Sequence, residues 1–248
     1  MAPEDTPSSQ PRRHEPHFHE RVAGRSIEWL IRWSSSVGDR TFFDTEDFPW
    51  VCEIECEWQL MRKELDKLME ERVNIPNFQD VNPPRNYGLT QDDSWKAFFL
   101  YIHGYRADEN CERCPETARL VKKIPGLLEA FFSILAPRKH IPPHRGRYNG
   151  VLRYHLGLIV PQPAHACWIR VGDDVHHWEE GKSMIFDDTY QHEVRNATDG
   201  WRVVLFVDFP RPLPFPVSVF NKGMIYAISR RQSVRDIQDY LKSHPGSY

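Results

Sequence analysis

Apolar residues recur at helical spacing through the first half of the chain. The segment "VCEIECEWQLMRKELDKLMEE", residues 51–71, carries a large apolar side chain every three or four positions, at Ile54, Trp58, Met61, Leu65 and Leu68. This spacing predicts an amphipathic helix whose apolar face packs on a core. The segments "ETARLVKKI" and "GLLEAFF" predict further helical turns before Ser133.

Beyond Ser133 the pattern changes to short β-branched and aromatic segments that are separated by glycine and proline. These segments are "FSILAP", "GVLRYHLGLIV", "ACWIRVGD", "SMIFDD" and "WRVVLFVDF". Several short strands at such spacing predict a β-sandwich or barrel, and "RRQSVRDIQDYLKS" predicts a closing helix. We therefore divide the chain into a disordered tail (1–20), a helical part that packs on the core (21–130), a β core (131–215) and a C-terminal extension with a helix (216–248).

Composition narrows the function classes. The chain has 248 residues and a net charge of -3, which argues against a nucleic-acid binder, because such proteins depend on excess lysine and arginine. Five cysteines, an odd number in a chain of this size, indicate a reducing compartment. No apolar run approaches the roughly 20 residues that span a bilayer, and the N-terminus lacks the apolar core of a secretion signal. We expect a cytoplasmic protein without a transmembrane segment.

The segment "SIEWLIRW", residues 26–33, is short and amphipathic. Trp29, Leu30 and Trp33 lie beside Arg25 and Arg32. We expect this stripe to pack on the main domain, as the apolar stripe of a surface helix usually does. Peripheral contact with a membrane surface, aided by the basic segment "SRRQSVR" near the C-terminus, is the alternative interpretation.

Charged residues occur on strands that are otherwise apolar. Alternation places Arg153, His155 and Gly157 on one face, so that a cation, an imidazole and a gap together suit an anion pocket. Arg202 likewise enters an apolar strand near its start. An unpaired buried guanidinium is costly, so each arginine must meet a carboxylate of a ligand or of the protein. The protein's own candidates are Asp187, Asp188 and Asp208.

Two further histidines stand in turns beside predicted strands, His144 in "PPHRG" and His192 in "DDTYQHEV". Neutral imidazole is the commonest protein ligand for metals at physiological pH. The usual non-haem iron site adds a carboxylate to two histidines, but the position two after His144 is Gly146. The residues therefore indicate an iron site that departs from the usual triad.

Three longer segments, "PPHRGRYNGVLRYHLGL", "WEEGKSMIFDDTYQHEV" and "WRVVLFVDFPRP", resemble the aspartyl/asparaginyl β-hydroxylase family of Fe(II)/2-oxoglutarate oxygenases. The resemblance covers about residues 45–215 and, with "IPNFQD", "SWKAFFL" and "CPETARLV", is greatest toward bacterial lipid A hydroxylases. It implies a mainly β fold, a double-stranded β-helix (cupin or jelly roll) with flanking helices. It also implies iron held by two histidines without a carboxylate, in agreement with Gly146.

The resemblance implies a role for each matched residue. His144 and His192 match the iron ligands, and Arg202 matches the arginine that binds the distal carboxylate of 2-oxoglutarate. Ser133 and His155 match groups that line this co-substrate. These five residues would form the catalytic and cofactor-binding centre.

Two more matches surround that centre. Arg153 matches an arginine near the carboxylates of co-substrate or substrate, and Asp188 matches an acidic residue that supports the second iron ligand. The resemblance implies a dioxygenase that uses Fe(II), 2-oxoglutarate and O2 to hydroxylate the 2-position of a fatty acyl chain in a membrane lipid. The alternatives are β-hydroxylation of Asp or Asn in a peptide or carrier-bound intermediate, and a cupin-like binding protein without turnover. The expected location is cytoplasmic, either free or peripheral to the inner membrane.

Overall fold

The computed structural model describes residues 18–71, 75–81 and 88–244. Its α-helices are α1 (Phe18–Ser34), α2 (Trp50–Cys56), α3 (Trp58–Glu70), α4 (Phe78–Val81), α5 (Asp108–Arg113), α6 (Pro115–Val121), α7 (Val217–Ser229) and α8 (Gln232–Ser243). Its strands are β1 (Phe42–Phe43), β2 (Trp95–Ile102), β3 (Tyr105–Arg106), β4 (Glu129–Leu135), β5 (His140–His144), β6 (Val151–Ile159), β7 (Cys167–Val171), β8 (Asp174–His177), β9 (Ser183–Phe186), β10 (His192–Asn196) and β11 (Arg202–Pro210). The tail predicted for residues 1–20 lies outside the described residues as far as position 17.

The consecutive strands β4 to β11 form two antiparallel sheets with the strand order of a jelly roll. One sheet has the order β1-β9-β6-β11-β4-β2-β3, and the other has the order β5-β10-β7-β8. Apart from the β7–β8 hairpin, every connection from β4 onward therefore crosses between the sheets, which makes a double-stranded β-helix. One cluster of buried apolar side chains joins both sheets and the helices packed on them. The predicted fold class, mainly β with flanking helices, is confirmed.

The β structure begins earlier in the chain than the apolar pattern predicts. Strand β2 lies inside the part expected to be helical, and the last four residues of "GLLEAFF" begin β4. Strand β4 lies between β2 and β11, and six of its seven residues are buried. A strand covered on both faces loses the alternation that distinguishes it from a helix, so its periodicity indicates the wrong element.

The helices lie outside the two sheets. The single helix predicted for residues 51–71 is two helices, α2 and α3, which meet at Glu57. Helix α3 buries Met61, Leu65 and Leu68 along one face, as their spacing predicts. Helix α8 confirms the predicted closing helix, whereas α7 is an addition, because its mostly apolar sequence has no clear amphipathic period. Within the described ranges, no helix is both long enough and apolar enough to cross a membrane.

Helix α1 does not pack its tryptophans on the main domain. Ile31 is fully buried, whereas Trp29 and Trp33 are 64% and 75% exposed and Leu30 is 37% exposed. The two indoles stack on each other, with their ring centroids 6.0 Å apart. The prediction that this stripe packs on the domain is therefore wrong for all three exposed residues.

A buried ion pair anchors the loop between β9 and β10. The side chains of Arg211, which follows β11, and Asp187, which follows β9, are fully buried and paired with each other. Arg211 Nε also donates to the carbonyl of Asn149 at 2.7 Å, and Asp187 accepts hydrogen bonds from the backbone and the hydroxyl of Thr189. The pair ties the loop that precedes His192 to the end of β11.

Removing one partner of this pair should destabilise the fold. Arg211→Met leaves the Asp187 carboxylate buried without a counter-charge, which should lower the free energy of unfolding by about 3–5 kcal/mol. Arg138→Ala is the control, because it removes an ion pair with Asp199, whose side chain is 87% exposed. It should change the free energy of unfolding by less than about 1 kcal/mol. Urea denaturation measures both values, and equal effects would contradict the structural role of the buried pair.

Candidate active site

His144 and His192 meet where β5 ends and β10 begins. These strands pair antiparallel with His144 opposite His192, and the two imidazole centroids are 4.0 Å apart. Pairing across the smaller sheet therefore brings together two histidines that are far apart in the chain.

Burial holds each of these imidazoles in its neutral form, and a backbone hydrogen bond fixes its tautomer. The Nδ1 of His144 lies 2.8 Å from the Pro142 carbonyl oxygen, and the Nδ1 of His192 lies 3.0 Å from the Tyr190 carbonyl oxygen. Because a carbonyl only accepts, each Nδ1 carries the ring proton and each Nε2 keeps a lone pair for a metal. Burial lowers the pKa of His144, and burial together with the nearby His144 ring lowers the pKa of His192 to about 3.

The glycine at position 146 is required by the carboxylate of Asp188. A Cβ at Gly146 would lie 2.1 Å from Asp188 Oδ1, and the Gly146 N–H donates to the Asp188 carbonyl at 2.7 Å. Asp188 Oδ2 lies 2.9 Å from Arg153 Nη2 in an ion pair. Among the residues that the structure describes, no group of three or more His, Cys, Asp or Glu is arranged to hold a metal. The site therefore offers two imidazoles and no protein carboxylate.

Arg202, the first residue of β11, is buried inside the barrel without a carboxylate partner among the described residues. Its Nε has no hydrogen-bond partner in that part of the chain. Its Nη1 only approaches the carbonyl and the hydroxyl of Ser133, both at 3.4 Å. Burial lowers the pKa of Arg202 to about 10. An isolated guanidinium is costly in such a place unless an anion joins it.

Other unpaired polar atoms surround the same space. Both ring nitrogens of His155 and the Nε1 of Trp178 are buried and lack a partner within the described ranges. The Trp178 ring lies 4.7 Å from the Arg202 guanidinium carbon and 6.1 Å from the His155 ring. The Phe186 ring lies 5.0 Å from that of His155 and 6.2 Å from that of His192. These contacts form a continuous row from His192 to Arg202.

Arg153 has the partners that Arg202 lacks. Asp208 lies opposite Arg153 on the neighbouring strand and accepts from its Nε at 2.8 Å and its Nη2 at 2.9 Å. Burial alone would lower the pKa of Arg153, but the carboxylates of Asp188 and Asp208 outweigh burial and raise this pKa. The sequence left open whether each arginine pairs with a protein carboxylate or with a ligand. Arg153 forms ion pairs within the protein, whereas Arg202 forms none with the described residues.

The predicted gap at Gly157 is filled by backbone. A Cβ at Gly157 would lie 2.2 Å from the Glu179 carbonyl oxygen. The Gly157 N–H donates to the Lys182 carbonyl at 3.1 Å, and the Gly157 carbonyl accepts from the Gly181 N–H at 2.8 Å. The missing side chain therefore admits the loop that carries Trp178, and the expectation of an open gap is wrong.

Two overlapping cavities, each of about 240 Å³, adjoin this centre. The first is lined by His144, Arg153 and Asp188 and by an apolar wall that includes Phe78, Val81, Leu89, Phe99 and Ile237. The second shares Arg153 and Asp188 with the first and extends to α1 and α7. A metal at the histidines would thus face a space with both charged and apolar walls.

The structure joins all seven predicted site residues through direct contacts, one intervening ring or a shared cavity. These are Ser133, His144, Arg153, His155, Asp188, His192 and Arg202. Sequence reasoning misses Trp95, whose Nε1 donates to the Ser133 hydroxyl at 3.0 Å, and Trp178, whose ring lies against the Arg202 guanidinium. A tryptophan near a strand end looks the same in sequence whether or not it contacts a buried charge.

Comparison with known proteins identifies relatives of this chain. The profile of the family described as Aspartyl/Asparaginyl beta-hydroxylase matches residues 55–212. An ornithine lipid ester-linked acyl 2-hydroxylase of Rhizobium tropici is 44% identical over 225 residues, which cover 91% of this chain and 78% of that protein. The aspartyl/asparaginyl beta-hydroxylase of Homo sapiens is 33% identical over 167 residues, which cover 65% of this chain but only 21% of that protein. The family resemblance of the motifs is confirmed.

Two solved structures are among the similar folds. A Pseudomonas putida prolyl-4-hydroxylase has a TM-score of 0.42 and 17% identity, covering 63% of this chain and 88% of that one. A cupin domain of an Enterobacter cloacae transcriptional regulator has a TM-score of 0.33 and 14% identity, and the match covers 48% of this chain and 99% of that one. Because these scores are low, the fold class rests on the strand order described above.

The buried neutral histidines should make the metal-free protein sensitive to acid. The pKa of His192 is lowered from 6.5 to about 3 in the folded chain, so the unfolded state binds the proton first and stability falls as the pH drops below 6.5. This histidine should account for a loss of about 2 kcal/mol at roughly pH 5. Urea denaturation of chelator-treated protein should therefore show a shallower pH dependence for His192→Gln than for the wild type. If the stability of His192→Gln and of the wild type fell equally with pH, His192 would not be the group whose lowered pKa makes the fold sensitive to acid.

Proposed function

The chain belongs to the aspartyl/asparaginyl β-hydroxylase family, and from this premise we propose that it is an Fe(II)/2-oxoglutarate-dependent dioxygenase. The proposed reaction is hydroxylation at C2 of a fatty acyl chain in a membrane lipid. The observation that carries the proposal is the buried guanidinium of Arg202, which has no carboxylate partner among the described residues.

A dicarboxylate would complete the surroundings of Arg202. A guanidinium presents a planar fork that binds a carboxylate through two hydrogen bonds. Its Nε is unpaired within the described ranges, and its Nη1 has only long contacts with Ser133. Ser133, whose hydroxyl accepts from Trp95, would bind the same carboxylate, and a ring nitrogen of His155 would donate to the co-substrate. These groups would hold 2-oxoglutarate in a dry, fixed orientation.

His144 and His192 would hold Fe(II) through their Nε2 atoms, because two neutral nitrogen donors suit a ferrous ion. When bound, Fe(II) with 2-oxoglutarate and O2 supplies the oxidation of an unactivated C–H bond, with succinate and CO2 as co-products. The protein orients both rings through their Nδ1 hydrogen bonds and keeps them neutral by burial. The ion pair with Arg153 holds the Asp188 carboxylate, so Asp188 would support the loop before His192 and would not act as a ligand.

The first cavity offers an apolar wall for an acyl chain as the substrate. Beside His144 its wall includes Val81, Leu89 and Phe99, which suit hydrocarbon, while Arg145 in the same lining would offer polar contacts for the remainder of a lipid. The Rhizobium tropici relative is named for an ester-linked acyl chain of ornithine lipid. The proposed substrate class is therefore the acyl chain of a membrane lipid, a class that includes both ornithine lipid and lipid A.

Hydroxylation of Asp or Asn in a peptide or carrier-bound intermediate is the second candidate, favoured by the 33% identity to the human enzyme. The first cavity also has charged lining residues, among them Glu129 and Arg147, so the preference for an acyl chain rests on the greater identity to the Rhizobium tropici relative. A binding protein without turnover is the third candidate. It is supported less, because a site without turnover would not need His144, His192 and Arg202 together.

Purified protein with Fe(II), 2-oxoglutarate and O2 should convert a detergent-dispersed, ester-linked acyl lipid into a product that is heavier by one oxygen atom. Mass spectrometry should place the hydroxyl group at C2, with succinate formed in equal amount, since each hydroxylation consumes one co-substrate. His144→Ala and His192→Ala should each abolish the product, because a single imidazole holds iron too weakly.

A peptide that contains Asp or Asn provides the comparison in this assay and should not be oxidised. Oxidation of the peptide but not the lipid would instead establish the second candidate. If folded protein that binds Fe(II) produced succinate with neither substrate, the dioxygenase proposal would be refuted.

Arg202→Met should weaken binding of 2-oxoglutarate by about 100-fold, because it removes the charged partner of a buried carboxylate. The same change should leave the metal-free protein at least as stable as the wild type, because it removes an unpaired buried charge. Arg153→Met is the matched control, and it should lower the free energy of unfolding by about 3–5 kcal/mol, because Asp188 and Asp208 lose their cation. Calorimetric titration and urea denaturation measure these effects. Equal destabilisation by both changes would make Arg202 a structural residue.

A further inference from the structure

Exposed apolar side chains are concentrated on two helices. Of the nine large hydrophobic side chains that are exposed among the described residues, seven lie on α1, on α7 or in the turn before α7. Their aromatic members form what we call the aromatic face: Trp29, Trp33, Phe215, Phe220 and Tyr226. Single exposed hydrophobic residues are ordinary on a protein surface, but such a concentration indicates a surface that contacts another apolar body.

Helix α7 exposes large apolar side chains and buries one polar residue, which is unusual for a surface helix. It buries Asn221 and Ile225, while Phe220 and Tyr226 are exposed. A surface helix normally buries its apolar side chains and exposes its polar ones. The segment 215–235 contains no Asp or Glu and four cations, Lys222, Arg230, Arg231 and Arg235. Exposed aromatic rings beside cations are the composition that binds the surface of an anionic bilayer.

Both helices are fastened to the turn at residues 148–150, which leads from the loop after His144 into β6. Asn149 in this turn donates from its side chain to the Glu28 carbonyl of α1 at 2.7 Å. The side-chain nitrogen of Asn221 in α7 donates to the Gly150 carbonyl at 2.8 Å. The side-chain oxygen of Asn221 accepts from the Tyr148 hydroxyl at 2.6 Å. The buried Asn221 therefore fixes α7, and with it Phe220 and Tyr226, relative to the proposed iron site.

The second cavity connects the two helices with that site. Ile27 of α1 and Met224 and Ile228 of α7 line it, together with charged residues that include Glu28, Glu129 and Arg147. Arg153 lines it too, and also lines the first cavity next to His144. An acyl chain that entered between α1 and α7 would thus reach the neighbourhood of His144 along protein walls.

We propose that α1 and α7 dock the protein on an anionic lipid bilayer, with the aromatic face in the interfacial layer and the second cavity as the entry for an acyl chain. This inference rests on the proposed function, because it names the place from which that substrate is taken. Tryptophan and tyrosine rings favour the boundary between hydrocarbon and water. The cations of residues 215–235 complement anionic headgroups.

A second copy of the chain fits the aromatic face less well than a bilayer does. A two-fold dimer brings the same patch of both copies together. The four cations of residues 215–235 would then face one another, with no carboxylate in the segment to offset the repulsion. An anionic bilayer carries the complementary charge.

Vesicle flotation of the metal-free chain tests the docking without any turnover. The protein should float with vesicles of phosphatidylglycerol and phosphatidylcholine, float less with phosphatidylcholine alone, and float less as salt is raised. The double variants Trp29→Ser/Trp33→Ser and Phe215→Ser/Phe220→Ser should each lower the partition coefficient about tenfold or more. Because all four side chains are exposed, both variants should keep the thermal unfolding of the wild type.

Trp201→Ser is the matched control. Trp201 is also exposed, but it precedes β11, and the nine residues of this strand separate it from the end that leads to α7. This variant should float like the wild type. If the wild type does not float, or if both double variants float as it does, the docking face is refuted.

The proposed function is judged separately, by hydroxylation of detergent-dispersed lipid, which needs no docking. Flotation without hydroxylation would support the docking face and count against the proposed function. Hydroxylation without flotation would support the proposed function and refute the docking face. Analytical ultracentrifugation decides the remaining outcome. A dimer that both double variants abolish, in a protein that does not float, would identify the second copy as the occupant and overturn the proposal.

Discussion

The burial of one guanidinium without a carboxylate partner among the described residues is the constraint on which the proposed site depends. Arg153 and Arg202 enter the same β core, but Arg153 lies between two carboxylates, whereas Arg202 faces Ser133 and the ring of Trp178. Moving a charge into a low-dielectric interior is strongly unfavourable unless an opposite charge accompanies it. Three further buried atoms without partners in the described chain, on His155 and Trp178, lie in the same region. Such a group of unsatisfied atoms is understandable when a polar anion belongs among them in the working protein.

Two glycines make the room that this arrangement needs. Gly146 yields its side-chain space to the carboxylate of Asp188, and Gly157 yields its space to the carbonyl of Glu179. The first contact places Asp188 where it pairs with Arg153, and the second lets the loop with Trp178 close over β6. Neither glycine leaves an empty place, and each one positions a group that contacts an arginine of the site.

The proposed substrate and the exposed surface present one physical problem. Drawing an acyl chain out of a bilayer exposes hydrocarbon to water at about 0.8 kcal/mol for each methylene group. An enzyme for such a chain therefore benefits from a protein-lined route between the membrane and the reacting carbon. Helices α1 and α7 expose aromatic side chains and also line a cavity that adjoins Arg153. The turn at residues 148–150 joins these helices to the strand that carries Arg153 and His155.

The sequence by itself determined the elements whose patterns are local, such as the apolar face of α3, and the residue types of the site, because the motifs around His144 and His192 are long. It did not determine that β2 and β4 are strands, since both lie inside the larger sheet and show no alternation. Nor did it distinguish Arg153 from Arg202, because each lies on an apolar strand near candidate carboxylates. Only the tertiary structure decided this, since strand register sets Asp208 opposite Arg153 and none of the described carboxylates beside Arg202. Pairing of charges across strands depends on which strands adjoin and in what register, and neither is encoded in the spacing of residues along one strand.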